Sequence, residues 1–279
     1  MSSQSLAVVG HPIAHSKSPA LHHAAYSVLG LDWSYEAIDV EPDAFPAFLA
    51  GPGAQLRGIS VTMPHKTAAL EASTSLDLLA ERTLSVNTLF LASPDQILGF
   101  NTDVAGIVHA FQDAGVTHAR HVVIVGGGAT ASSAVAAAAE MGAEHISVLA
   151  RTPAKAFFLE QVGQDCGVNV TVHLLEDMSS LTPADVVIST LPGTVAFSLD
   201  QLPRTARATL LDVAYSPWPS SRSAAWNVAG GEAVSGLRML AHQALIQVRI
   251  FVTGSPVDVL PREEVIKNAM FASVGLSSL

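Results

Sequence analysis

Four short apolar runs constrain the folding of this 279-residue chain more than any other feature. His121–Val125, His145–Ala150, Asp185–Ser189 and Thr209–Val213 are almost continuously apolar, with no alternation. That pattern belongs to strands covered on both faces, as in a parallel sheet, and helical patterns at Thr130–Met141 and Pro153–Val162 supply the crossovers. The first hundred residues alternate less regularly. Leu6–Gly10, Ser34–Val40 and Gly58–Thr62 read as strands, and Pro19–Leu29 and Pro42–Ala50 as helices. Asn87–Ala92 and Ile97–Asn101 flank the turn signal Ser93-Pro94-Asp95 and predict a hairpin. Asp103 opens a helix with Val104, Ile107, Val108 and Phe111 at helical spacing, and two apolar helices, Leu237–Val252 and Pro261–Phe271, close the chain.

Composition removes several classes of function. A net charge of −10 with 14% charged residues argues against nucleic-acid binding, which needs basic surface to neutralise phosphates. The most apolar stretch, Val122–Ala139, is interrupted by three glycines, a threonine and two serines, so it reads as buried and not membrane-spanning. The N-terminal MSSQSLAVV lacks the basic flank and long apolar core of a signal peptide. One cysteine, Cys166, makes neither an internal disulfide nor a thiolate metal site. Among the eleven histidines no spacing suits a metal: Pro12 separates His11 from His15, and His22-His23 would point apart on a helix. The histidines are expected to be loop and surface residues, the protein to be cytoplasmic, and metal to play no part.

The first apolar run passes directly into Gly126-Gly127-Gly128-Ala129-Thr130-Ala131, the form G-x-G-x-x-A between a strand and a helix. Glycines there permit a tight turn and close approach of a pyrophosphate, while the helix N-terminus supplies partial positive charge. The next strand ends at Ala150-Arg151-Thr152-Pro153-Ala154-Lys155, where an acidic residue would hold the ribose of NAD. Arg151 and Lys155 suit a 2′-phosphate instead, which favours NADP. The expected fold is therefore α/β. It has an N-terminal α/β substrate domain over 1–103 and a Rossmann-type parallel-sheet dinucleotide-binding domain over 104–236. C-terminal helices over 237–279 return to the first domain, since no strand remains for them to join.

Candidate chemistry in the first domain centres on Ser60-Val61-Thr62-Met63-Pro64-His65-Lys66. Only four lysines occur, and this one follows a strand and a turn-forming Pro, where α/β enzymes place reactive groups. Ser16 and Ser18 can aim two hydroxyls at a carboxylate, although Ser18 reads equally well as a helix cap. Val86-Asn87-Thr88 and Asn101-Thr102-Asp103 carry side chains suited to hydroxyl groups, and Asp103 too could be a cap.

Taken together these segments resemble the shikimate dehydrogenase family. The matching motifs are Ser16-x-Ser18, Val61-Thr62-x-Pro64-x-Lys66, Val86-Asn87-Thr88, Asn101-Thr102-Asp103, Gly126-x-Gly128, Arg151-Thr152-x-x-Lys155, Asp212-x-x-Tyr215-x-Pro217 and Gly236-x-x-Met239-Leu240-x-x-Gln243-Ala244. They run in order over essentially the whole chain. The resemblance implies reversible, NADPH-dependent reduction of 3-dehydroshikimate in aromatic amino-acid biosynthesis, by a monomer or homodimer acting on a small molecule. It implies Lys66 and Asp103 as the catalytic pair. Ser16, Ser18 and Tyr215 would bind the carboxylate, and Thr62, Asn87 and Gln243 the ring hydroxyls. Gly126, Gly127, Gly128, Ala129, Thr130, Arg151, Thr152 and Lys155 would bind NADP, with Val213, Gly236 and Met239 around its nicotinamide. Ser60, Leu84-Ser85, Ala150 and Ser189-Thr190-Leu191-Pro192 depart from the family's usual residues, and Ala150 removes one possible contact to the adenosine phosphate. A quinate/shikimate dehydrogenase using NAD, a non-catalytic NADP(H) sensor and a folate-type bidomain dehydrogenase are the rival readings. The absent acid at the second strand, the presence of Lys66 with Asp103, and the paired serines weigh against them in turn.

Overall fold

The computed structural model describes residues 3–93, 95–195, 199 and 202–277, for 205–207 the backbone alone. Two compact units divide the chain: Met1–Thr102 together with Leu240–Leu279, and Asp103–Met239.

In the first unit the elements are β1 (Gln4–Gly10), α1 (Ser18–Leu29), β2 (Trp33–Asp39), α2 (Phe45–Ala50), β3 (Gly58–Val61), α3 (Lys66–Ala72), β4 (Ser75–Leu76), α4 (Leu78–Thr83), β5 (Thr88–Ser93) and β6 (Gln96–Phe100). They form a mixed six-stranded sheet in the order β2-β1-β3-β5-β6-β4, with β1 parallel to β2 and β3 and the β5–β6 hairpin antiparallel. The central residue of the predicted hairpin turn, Pro94, lies outside the described residues. One face of the sheet buries Ala7, Val9, Ile59, Val61 and Leu89 against Phe45 and Leu49 of α2. Each such Ile, Leu or Val contributes about 1.5–3 kcal/mol relative to exposure.

The second unit contains α5 (Asp103–Asp113), β7 (His121–Val125), α6 (Ala129–Glu140), β8 (His145–Ala150), α7 (Phe158–Cys166), β9 (Asn169–Leu174), β10 (Ala184–Ser189), β11 (Arg204–Asp212), α8 (Ser221–Val228) and β12 (Glu232–Ser235). Its six strands are all parallel, in the order β12-β11-β10-β7-β8-β9. The order reverses between β7 and β10, the topological switch point of a doubly wound sheet. Along α6, every residue from Ala131 to Ala138 is buried, and only Ala, Ser and Val stand there, so the helix packs closely on the sheet and on α5 and α7.

β9 and β12 were not expected from the sequence. Both are edge strands with mixed exposure, so neither shows the continuous apolar run of a doubly covered strand. The helix expected over Pro153–Val162 resolves into a 3₁₀ turn at Pro153–Lys155 followed by α7, and a similar turn at Pro42–Ala44 precedes α2.

The chain ends in α9 (Gly236–Thr253), which begins in the second unit and continues into the first, and α10 (Glu263–Ser273). α10 packs against α1 within the first unit, and a buried-side ion pair from Arg249 to Glu263 ties it to α9. Among the described residues no helix is long and apolar enough to cross a membrane, and no three His, Cys, Asp or Glu side chains cluster to hold a metal.

Candidate active site

Lys66 is the first residue of α3, delivered there by the turn that ends β3. His65 N–H closes that turn on the Thr62 carbonyl at 2.9 Å. Thr62 N–H donates to the Val9 carbonyl (2.9 Å) and His11 N–H to the Met63 carbonyl (3.0 Å), which stitches the turn to the end of β1. The His65 ring lies flat on Phe45, with centroids 4.6 Å apart, and its Nε2–H donates to the Val40 carbonyl at 2.8 Å. The turn is thus held from three directions immediately before Lys66. Lysine is almost never this deeply buried without a purpose or partner, and Lys66 is only 9% exposed.

One residue beyond Val86, whose N–H reaches the Lys66 carbonyl, stands Asn87. Asn87 Oδ1 accepts from Thr102 N–H (2.9 Å) and from the Thr88 hydroxyl (2.8 Å). Its Nδ2 donates to Thr102 Oγ1 (2.9 Å) and to Gln243 Oε1 (3.2 Å), while Gln243 Nε2 donates to the Leu240 carbonyl. Residues 156 apart in sequence therefore share one buried cluster. Neighbouring Asn101 donates to Thr83 Oγ1 at 2.7 Å, so it braces α4.

Ser16 and Ser18 lie where β1 passes into α1. Ser18 is not the cap the sequence also allowed: Lys17 holds the N-cap position without a side-chain hydrogen bond, and Ser18 is already helical. Its N–H donates to Ser16 Oγ at 3.3 Å, so the earlier serine satisfies the helix start. The expectation that histidines lie in loops and on the surface holds for His15 and His118, both exposed and outside helices and strands, and fails for three others. His22, His65 and His242 are buried, because each ring packs on an aromatic side chain: Tyr35, Phe45 and Phe271 respectively.

In the second unit a cavity of about 720 Å³ opens at the carboxyl ends of β7, β8 and β10. Of the residues expected to bind the nucleotide, Gly126, Gly127, Arg151, Thr152 and Lys155 line it. Gly126 adopts φ +121°, and a side chain there would overlap the Thr190 hydroxyl, which itself donates to the Val125 carbonyl at 3.0 Å. Gly128 differs, since a Cβ built on it meets nothing within 4 Å. The protein itself does not require glycine at that position, whereas a phosphate seated on the loop would. Gly128 is also the N-cap of α6 and, as a glycine, brings no capping side chain, and the N-terminus of such a helix favours an anion. Among the described residues that line the cavity none is a carboxylate, and the ionisable ones are Arg151 and Lys155, both exposed.

Val213 follows β11, and the Val213 carbonyl presses so closely on Gly236 that any side chain would collide with it. Met239 is buried three residues on. Tyr215, half-buried, follows in the segment anchored by Asp212, whose Oδ1 accepts from Ala214 N–H. Asp212 and Arg222 form an ion pair at 3.0 Å with both side chains fully buried, and Ser220 Oγ donates to the other carboxylate oxygen at 2.5 Å. Asp103 is the first residue of α5, where a carboxylate suits the helix dipole, and is buried. Asp103 and Tyr215 thus belong to the second unit, whereas Lys66, Ser16, Ser18, Thr62, Asn87 and Gln243 belong to the first.

Residues 8–89 match the family model described as shikimate dehydrogenase substrate binding domain, and residues 109–209 the one described as shikimate/quinate 5-dehydrogenase. A shikimate dehydrogenase (NADP(+)) of Methylobacterium radiotolerans is 34% identical, over 85% of this chain and 87% of that one. The chain belongs to the shikimate dehydrogenase family. A further relative, from Methanothermobacter thermautotrophicus, is 32% identical over 94% of this chain and 95% of its own. Among solved structures, the shikimate dehydrogenase of Mycobacterium tuberculosis has TM-score 0.80 and 36% identity, covering 96% of this chain and 99% of the other. That of Thermus thermophilus in complex with NADP(H) and shikimate has TM-score 0.79 and 28% identity, covering 97% and 99%.

Against these shikimate dehydrogenase motifs, the structure adds residues the sequence reading missed. Leu175, Leu191, Pro192 and Val195 also line the cavity. Thr190-Leu191-Pro192 stands where the sequence only departed from the family's usual pattern, yet it follows β10 directly, and position at a strand's carboxyl end was the available signal. Arg222 gave no signal at all, since it begins an ordinary-looking helical segment.

Proposed function

We propose that this chain is an NADP-dependent shikimate dehydrogenase, reducing 3-dehydroshikimate to shikimate and catalysing the reverse oxidation. The observation that carries the reading is the buried Lys66 that opens α3 after β3, its backbone carbonyl bonded to the N–H of Val86, the residue before the oriented Asn87 of the Asn87–Gln243 pair. Ser16, Ser18 and Tyr215 are the carboxylate-binding residues, and Thr62, Asn87 and Gln243 hold the ring hydroxyls. NADP suits the second unit's cavity on its donor set: Gly126 and Gly127 in its wall, with Gly128, Ala129 and Thr130 at the start of α6 beyond them, suit the pyrophosphate, and Arg151, Thr152 and Lys155 suit the 2′-phosphate. Val213, Gly236 and Met239 are the nicotinamide-side residues.

Bound NADPH supplies a hydride. Reduction of the ketone puts negative charge on its oxygen, and an ammonium at Lys66 Nζ stabilises that charge and donates the proton. In oxidation the neutral amine takes the proton back. Asp103, buried at the start of α5, is the second member of the proposed catalytic pair. Nicotinamide absorbance, followed with shikimate or quinate and with NADP or NAD, tests the reading. It predicts activity with shikimate and NADP above the other three combinations. Turnover confined to quinate with NAD would replace it by the quinate reading, and no turnover in any combination by the sensor reading.

A further inference from the structure

We propose that Gln247 is a positioning residue for substrate binding: together with the Thr102 N–H it holds the Asn87 amide in one orientation, through a one-way chain of hydrogen bonds that starts at Tyr35. This rests on the assignment of Asn87 as a ring-hydroxyl ligand.

The chain is legible bond by bond. Tyr35 OH donates to Ser60 Oγ at 2.6 Å, and Ser60 OH donates to Gln247 Oε1 at 2.8 Å. Gln247 Nε2 donates to Thr88 Oγ1 at 2.9 Å and to the Asn87 carbonyl at 3.2 Å. Thr88 OH donates to Asn87 Oδ1 at 2.8 Å. A hydroxyl has one proton to give, so each link commits the next. The Asn87 carbonyl can only accept, so Gln247 Nε2 must face it and Oε1 must face Ser60. Thr88 Oγ1, occupied as an acceptor, then gives its proton to Asn87 Oδ1. With Oδ1 also held by Thr102 N–H, the Asn87 amino group is left facing Thr102 Oγ1 and Gln243 Oε1.

His22 reinforces the same polarity. Its Nε2 lies 3.3 Å from Gln247 Oε1, an acceptor, so Nε2 carries the proton and Nδ1 accepts from Tyr26 OH at 3.1 Å. The ring is stacked on Tyr35 at 3.9 Å, and burial lowers its pKa to about 3, so it remains a neutral donor at working pH. Tyr26, Tyr35 and Gln247 are the polar groups packed on it, His23 is the neighbouring titratable group, Phe251 packs beside it, and among the described residues no charged side chain is in hydrogen-bond contact. Tyr35 is held protonated, first by its own burial, which keeps it the donor at the head of the chain. Every member is buried, so no solvent competes for these bonds.

The test is steady-state kinetics of Gln247→Met, which keeps the side-chain length and removes both polar ends. The expected result is a KM for shikimate raised about tenfold, with the KM for NADP within about twofold of wild type, as befits loss of oriented hydrogen bonds at one ligand only. Thr88→Val breaks the chain one link later and keeps the strand; it is expected to raise the shikimate KM alone, and Thr88→Ser to recover most of that loss. If Gln247→Met does not fold, the Thr88 pair decides. A lowered Tm with both KM values unmoved, or both KM values raised together, would reduce Gln247 to a packing residue and overturn the proposal. Wild-type protein that turns over no shikimate at all would instead remove the functional reading on which it rests.

Discussion

The two units prepare their sites by opposite means. In the first, the candidate substrate groups are side chains locked in a buried lattice of neutral amides and hydroxyls that includes Asn87, Thr102, Gln243 and Gln247. In the second, the candidate nucleotide site is mostly backbone and space, with a glycine turn, a helix that starts at a glycine and two exposed cations. Its wall is secured from behind by a charge. Arg222 donates to the carbonyls of Val195 (2.6 Å), Leu191 (3.3 Å) and Pro192 (3.3 Å) while paired with Asp212. The difference follows from the ligands each unit is built for. A ring with several hydroxyls is recognised by donors and acceptors whose orientation matters. A pyrophosphate is recognised by partial charge and by room for close approach.

Breaking the buried charge tests the contrast most severely. Arg222→Met leaves Asp212 unpaired inside the second unit and should cost about 3–5 kcal/mol of stability in urea unfolding. A loss below about 1 kcal/mol would mean that the ion pair does not hold the wall. Acid should act on the first unit instead. Burial keeps the folded-state pKa of His22 down at about 3, while in the unfolded chain the ring takes a proton near its ordinary 6.5. A lowered histidine pKa costs stability as pH falls below the unfolded value, so between pH 7 and pH 5 wild type should lose about 2 kcal/mol through this group alone. His22→Gln should flatten that slope, and an unchanged slope would place the proton elsewhere.

Smaller effects separate the roles within the second unit. Arg151→Ala with Lys155→Ala should lower kcat/KM for NADP about tenfold or more and leave NAD almost untouched, because only the phosphate loses its partners. Equal loss with both nucleotides would contradict that role. Gly128→Ala is the mildest change, since its added methyl meets no protein atom and its φ of −103° is open to alanine. Stability should stay within about 0.5 kcal/mol while the KM for NADP rises a few-fold. A stability loss without a KM change would make Gly128 a folding residue.

The same contrast explains what was legible in sequence. The glycine loop, Arg151 and Lys66 each sit in a local motif next to a strand, so neighbouring residues announce them. The doubly covered strands β7, β8, β10 and β11 were equally visible, whereas β9 and β12, half-exposed at the sheet edges, were not. Asn87 and Gln243 were placed together only through family resemblance, because nothing local links residues 156 apart. His22, Ser60 and Gln247 were missed for the same reason. A glutamine within an apolar helix carries no mark of the hydroxyls that will meet it, and a histidine followed by another looks like surface.

The central claim is that Lys66 serves the chemistry and not merely the binding. Turnover of purified Lys66→Ala with saturating shikimate and NADP, measured beside its KM for shikimate, tests this most directly. The account predicts a kcat lowered about 10²–10⁴-fold with KM almost unchanged, the range for loss of a general acid–base group. A kcat close to wild type, or a loss that appears only as a higher KM, would contradict it.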